Sequence, residues 1–266
     1  MRPGSGNAPG SLLREPEQAR GKIGASAAGP APIGGVWPRS KHVHMVPAWD
    51  LPTRLFHWAL VLLIIGGFVT RLYFYSDLTW HKWNGYGVLT LITFRVIWGF
   101  VGGSTARFSA FFPTPMAVLR HAGGLLRRDP RRFLGHNPLG GAMVLAFLVA
   151  IPAQALTGLF NTDDVFFDGP LVKIATSQTV RLAGIAHHYI WQLILVLAAI
   201  HIAANLLYQF VKREKLISAM VSGEKPCDDY VDAAAARGGG CGLALVCLAA
   251  ASAIVLGTIR LVGGEL

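Results

Sequence analysis

AHHYIWQLILVLAAIHIAANLLYQFV, the stretch from Ala186 to Val211, carries histidine at 187, 188 and 201 inside an otherwise apolar run. It is long enough to cross a hydrocarbon layer, which takes roughly 20 residues of helix. Helix is the only open choice, because an isolated strand leaves backbone groups unpaired in lipid. At 100° per residue, the fourteen-residue step from His187 to His201 returns to within about 40° of one face and advances ~21 Å. Both imidazoles then look into one bundle interior, one near each surface of a layer about 30 Å thick. His188 points about 100° away from His187 and reads as a lining or interfacial residue.

Four further segments have the same apolar character, running approximately from Thr53 to Leu72, Trp83 to Val101, Leu139 to Leu159 and Cys241 to Ile259. The 266 residues are 53% hydrophobic and only 14% charged, with mean hydropathy +0.46. That is too apolar and charge-poor for an ordinary soluble domain. The expected fold class is an all-α integral membrane protein. A net charge of +10 could suggest nucleic acid, but the basic residues fall in short stretches between apolar runs rather than on one soluble face, so no nucleic-acid partner is expected. Cys227, Cys241 and Cys247 form no C-x-x-C or C-x-x-C-H, which leaves a disulfide framework, a zinc site and covalently attached haem without a sequence basis.

Residues 1–44 are rich in Gly, Pro, Ala, Arg and Lys and read as a disordered tail. Met45, just before the first segment, is a second candidate start. Residues 45–222 read as the main transmembrane domain, 223–240 as a linker, and 241–266 as an additional membrane helix with a short tail. Arg107, Arg120, Arg127, Arg128, Arg131 and Arg132 crowd the connection after the second segment, whereas Asp163, Asp164 and Asp168 lie in the connection after the third. With Lys212, Arg213 and Lys215 after the fourth segment and Lys41 and Arg54 near the first, the bias places the N-terminus in the cytoplasm. A short amphipathic helix around Met116 to Leu126 is expected on the headgroups, its Arg and His reaching anionic lipid, with a solvated loop as the alternative. Trp49, Trp58, Trp80, Trp83, Trp98 and Trp191 read as an interfacial belt.

His57 sits in the first turns of the first segment and His81 at the entry of the second. An ionisable side chain inside a membrane bundle is a functional-site candidate, since lipid offers it no hydrogen-bond partner. With the inferred directions, His57 meets His201 at the cytoplasmic level and His81 meets His187 at the other. For any one of them, a histidine bonded to a backbone carbonyl would be reading enough, but that does not explain the pairing. Each pair suits axial ligation of haem iron, and two axial histidines leave no open iron position, so the task is electron transfer. Zinc is less well served by two ligands per level.

These residues resemble the bacterial cytochrome b561 family, including the cytochrome b subunits of membrane-bound hydrogenases. The likeness covers about Trp49 to Gly223 and rests on T-R-L-F-H-W at Thr53 to Trp58, H-K-W-N-G-Y-G at His81 to Gly87 followed by Arg95, and the His187 to His201 spacing. A-R-F-S at Ala106 to Ser109 and G-H-N-P-L-G-G at Gly135 to Gly141 are similar to the group with a cytochrome b/b6 domain. The resemblance implies a four-helix di-haem transmembrane bundle in a bacterial inner membrane, two haems b per chain, and His57, His81, His187 and His201 as ligands. The N-terminal tail and the fifth segment depart from it. That segment reads as a bundle-flanking or partner-docking helix, which the small residues from Ala249 to Ala253 suit.

Arg95, fourteen residues after His81, points inward at the cytoplasmic level and is a candidate for a haem propionate; Arg54 is a second, or else a positive-inside anchor. His136 and Asn137 open the third helix, where a quinone head group could be hydrogen-bonded, although Asn137 suits an ordinary N-cap. The functional expectation is electron transfer between quinone or quinol and a c-type cytochrome or hydrogenase-type partner. This is a subunit's role in a respiratory oxidoreductase rather than a stand-alone enzyme, and a homodimer is compatible with it. The alternatives are a histidine-lined metal or proton transporter and a non-redox anchor subunit. Against transport, the first four segments contain no Asp or Glu.

Overall fold

The computed structural model describes residues 44–73, 78–124, 131–162 and 167–264. The expected tail, apart from His44, lies outside these residues, as do Lys41, Arg127, Arg128, Asp163 and Asp164. In chain order, strand β1 (Met45–Pro47) leads into helices α1 (Leu51–Tyr73) and α2 (Thr79–Val101). The short helices α3 (Phe108–Phe111) and α4 (Pro115–Gly123) follow, then the long helices α5 (Pro138–Gly158) and α6 (Ser177–Leu206). A π-helical turn over Leu207–Val211 extends α6, and α7 (Leu216–Ser222), β2 (Glu224–Pro226) and α8 (Cys241–Leu261) complete the chain. Among the described residues five helices, α1, α2, α5, α6 and α8, are long and apolar enough to cross a membrane. The fold is that of an all-α integral membrane protein.

Local chemistry sets the helix starts. The Asp50 carboxylate accepts from Thr53 N at 2.9 Å, with Pro52 in the first turn of α1; Asn137 caps α5 through Gly140 N at 2.7 Å, ahead of Pro138. Thr114 and Thr176 cap α4 and α6 in the same way. Each cap satisfies one of the amides that a helix start leaves unpaired. Asn137 therefore takes the capping role. The fourth long helix begins at Ser177 rather than Ala186, because the polar turns between them were too hydrophilic to join an apolar segment. His187 accordingly lies ten residues, or ~15 Å, inside its helix instead of opening it.

In lipid the apolar faces gain nothing by leaving water, so packing depends on close fit. A central layer joins Val88 and Ile92 of α2, Ala150 and Ile151 of α5, and Ile194 of α6 to Phe56, Leu60 and Leu63 of α1. The fifth long helix is not detached. It lies along α2, burying Cys247, Ala251, Val255 and Ile259 against residues that include Phe94, Trp98, Tyr86 and Leu89. The fourfold spacing of that stripe, with Ala251 at its centre, permits close helix approach. Trp98 is fully buried there and stacks on Phe94 at 5.6 Å, and Trp49 is 8% exposed, so neither belongs to an aromatic belt. Trp58, Trp80 and Trp83 are exposed, as a belt requires.

Residues 223–240, expected as a linker, are ordered against the bundle end. β2 pairs antiparallel with β1, and the Asp232 carboxylate accepts from Leu134 N and Gly135 N at 2.7 and 2.8 Å. The buried Lys225 ammonium donates to the carbonyls of Phe133 and Leu134. Ala48, Trp49, Leu134 and Ala219 form a small core beneath this cap. Gly223, at φ +89°, turns the chain out of α7, where a side chain would also meet Trp49 O and the Arg54 guanidinium. Such a turn favours glycine. Short polar side chains rather than apolar periodicity hold this region, which is why composition alone reads it as a linker.

One carboxylate ties three membrane helices together at this end. While Asp50 caps α1, its other oxygen accepts from Gly103 N just after α2 and from Gly239 N just before α8, at 3.1 and 3.2 Å. Replacing Asp50 with alanine should cost roughly 2–4 kcal/mol, combining a lost cap with stranded amides. Thermal unfolding in detergent checks this: Asp50→Ala should melt well below the parent, and Asp50→Asn should fall between them.

Candidate functional site

α6 carries His187 and His201 at two depths, and α1 and α2 run antiparallel to each other beside it, so each depth meets a different partner. His57, in the second turn of α1, faces His201 with ring centroids 6.5 Å apart. His81, in the first turn of α2, faces His187 at 6.4 Å. Two imidazoles sharing a hydrogen bond would bring their centroids to about 5 Å. A single metal atom bonded to one nitrogen of each, at the usual metal–imidazole length of ~2 Å, sets them about 6.3 Å apart. Both pairs stand at the second spacing.

The remaining ring contacts fix how the imidazoles face. His81 Nδ1 lies 3.1 Å from Gly67 O and 3.2 Å from Thr70 Oγ1, and His187 Nδ1 lies 2.9 Å from Gln154 O and 3.3 Å from Thr157 Oγ1. An Nδ1–H held by a carbonyl leaves Nε2 as the basic nitrogen, the arrangement common behind metal-bound histidines. Gly158 leaves room for His187, since a Cβ there would stand 3.0 Å from the ring. At the other level His57 Nδ1 is buried with no hydrogen-bond partner, and His201 Nε2 touches Asn205 Nδ2 at 3.1 Å. Asn205 must release that nitrogen before it can bind a metal. Phe147 stands edge-on to His201 and Trp58 edge-on to His57.

The His57–His201 level is polar in a way the central layer is not. Arg95 is 4% exposed; its guanidinium lies over the rings of Phe108 and Phe111 at 5.3 and 5.6 Å, and its Nη1 has no hydrogen-bond partner. His136 packs on the same Phe111 ring and on Trp49, both at 4.7 Å, with its buried Nδ1 also unpartnered. Burial, helped by the neighbouring charge of Arg95 and Lys225, pushes the His136 pKa down to about 3, so its ring is neutral near pH 7. Arg54 spends one nitrogen on Val221 O at 2.5 Å, and its Nε is buried without a partner. Buried donors of this kind call for an acidic group. The propionates of a haem would meet that need, so the residues present fit such a group.

Of the residues singled out in the sequence, His57, His201, Arg54, Arg95 and His136 gather at one end, and His81 and His187 at the other. His188 is exposed and bonds Gln192. His121 does not reach toward lipid: it is 8% exposed, with Nε2 3.0 Å from the Tyr208 hydroxyl. The outward face of α4 carries Met116 and Leu119 instead. The supporting residues Asn84, Thr70, Gln154, Thr157 and Asn205 were missed. Their signal was polarity inside apolar segments, which marks an interior-facing position. Asn84, for example, donates to Leu63 O at 2.9 Å and ties α2 to α1. Among the described residues, no cluster of three or more His, Cys, Asp or Glu side chains forms an ordinary metal-ion cage.

Comparison with known proteins identifies the family. The family model for prokaryotic cytochrome b561 matches residues 48–223, well over half of the chain. A Rhodobacter capsulatus protein named "Probable Ni/Fe-hydrogenase B-type cytochrome subunit" is 27% identical over 221 residues, covering 69% of this chain and 82% of its own length. Proteins of the same name from Azotobacter vinelandii, 27% identical over 67% of this chain and 87% of theirs, and from Rhizobium leguminosarum bv. viciae, 25% identical over 70% and 91%, are also similar. The family match ends at Gly223, where the chain turns out of α7. On the matched region and the paired histidines within it, the chain belongs to the prokaryotic cytochrome b561 family and is a membrane electron-transfer cytochrome.

Proposed function

We propose that this chain holds two haems b, one between His57 and His201 and one between His81 and His187, and conducts electrons between a quinone or quinol and a protein redox partner. The observation that carries the proposal is the near-equal spacing of the two histidine pairs, 6.5 and 6.4 Å, a distance that accommodates one metal atom between the rings. When bound between two imidazoles, a haem would supply one-electron redox chemistry with no position left open for oxygen. The protein's own residues orient and exclude. Gly67 and Gln154 carbonyls aim His81 and His187, while the central apolar layer keeps water from the space between the levels. Arg95, with Arg54 and His136 beside it, offers donors to acidic groups at the His57 level.

The relatives named as Ni/Fe-hydrogenase cytochrome subunits support a hydrogenase-type partner, with a c-type cytochrome as the other candidate of the same role. The neutral His136 ring, at the mouth of α5, is a candidate hydrogen-bonding group for a quinone head group. The larger share of Arg and Lys falls at the end holding His57 and His201, from Arg107 and Arg120 through Arg132 to Lys212, Arg213 and Lys215. The positive-inside bias therefore favours a cytoplasmic placement for that end and for the N-terminus.

Two measurements test the assignment. Pyridine haemochrome analysis of the purified chain should give two haems b; His57→Ala and His81→Ala should each lose one and keep the other, and His188→Ala should keep both. Retention of both haems by His57→Ala would remove the proposal. In a potentiometric titration, Arg95→Leu should lower the midpoint of one haem by an amount on the order of tens of millivolts, since a nearby positive charge favours the reduced state. The second haem should move little.

A further inference from the structure

At the capped end, outside the two histidine levels, a polar cleft opens between α4, the segment leading into α5, the turn after α6, and β2. Its walls include His121, Arg131, Tyr208, Lys212, Glu214 and Lys225. Among the described residues Arg131, Lys212 and Lys225 thus line the cleft with Glu214, and the Asp232 carboxylate, bound to Gly135 N at its edge, adds a second negative charge. The chain is distorted where it builds this wall: Tyr208 sits in the π-helical turn, and Arg213 holds a left-handed φ of 57° without being glycine. Distortions of both kinds cluster at binding sites. They turn Tyr208 inward to His121 and place the Lys212 ammonium over the Tyr208 ring at 5.1 Å.

We propose that this cleft binds a phosphate group, with Arg131, Lys212 and Lys225 as its cationic walls. Arg131, Lys212 and Lys225 reach the cleft's lining from three separate segments, which suits a tetrahedral oxyanion better than a planar carboxylate pinned by a single guanidinium fork. Lys225 is 6% exposed and already anchored by the carbonyls of Phe133 and Leu134, so its charge is fixed in place rather than roaming in solvent. Glu214 offsets part of the positive field and sets a limit on affinity. Exposed Met116 and Leu119 on the face of α4 turned away from His121, with exposed Phe112 just before the helix, form an apolar stripe that suits a cleft at headgroup depth. The phosphate could therefore belong to an anionic phospholipid, of the kind that basic pockets beside membrane helices select, or be free in solution. The inference does not depend on the haem assignment.

Phosphorus NMR on the haem-loaded full chain in detergent distinguishes the sources. Dihexanoyl-phosphatidylglycerol, dihexanoyl-phosphatidylcholine and inorganic phosphate serve as probes. Saturable binding of the phosphatidylglycerol alone assigns the cleft to lipid, and competition by inorganic phosphate at similar concentration assigns it to the free anion; either supports the proposal. The double variant Arg131→Gln, Lys212→Gln should weaken binding at least tenfold. Glu214→Gln should strengthen it severalfold, a gain that a merely misfolded chain would not show. Absence of saturable binding by any probe, equal binding of phosphatidylcholine, or affinities unmoved by both variants would overturn the proposal.

Discussion

An imidazole carried into hydrocarbon must find its partners within the protein, because lipid offers none. α6 carries two on one face, ~21 Å apart along its axis. No single neighbouring side chain can answer both, so the bundle brings α1 to one depth and α2 to the other, running in opposite directions. At one of those depths the carbonyls of Gly67 and Gln154 hold the two rings in place.

The two depths are met by different means. At the His81–His187 level both Nδ1 atoms rest on main-chain carbonyls of the adjoining helices and on threonine hydroxyls, so the ring planes are tied to the scaffold. At the His57–His201 level the rings are bordered by aromatic edges, and buried donors on Arg54, Arg95 and His136 collect around them. The first environment is firmly held with the single charge of Arg71 nearby, the second borders the charges of both Arg54 and Arg95. Iron in the second would favour its reduced form more strongly, since positive charge nearby stabilises the added electron.

The membrane helices were legible because hydrocarbon imposes a length and a composition that few soluble segments meet. The histidine pairing was legible because fourteen residues nearly close a whole number of turns. What the sequence concealed lies in single side chains acting through space. Asp50 looks like an ordinary loop residue until its carboxylate is seen to gather α1, Gly103 and Gly239. Residues 223–240 look like a spacer, since alanine, glycine and aspartate carry no periodicity. Their order comes from Asp232 and Lys225, each satisfying main-chain groups nearly a hundred residues away. Trp98 misled for the opposite reason: its place near a helix end suggested an interface, and only the path of α8 buries it.

The layer of Val88, Ile92, Ala150, Ile151 and Ile194 separates the two histidine levels with side chains that neither donate nor accept a proton. Charge can pass such a barrier by tunnelling, whereas a hydrated ion cannot follow it. Every elementary charge moved through a field of 100 mV stores about 2.3 kcal/mol, and only a barrier tight to protons keeps that energy from leaking away as heat. The same methyl groups that fill the middle of the bundle thus act as the insulation of a capacitor whose plates are the two membrane surfaces.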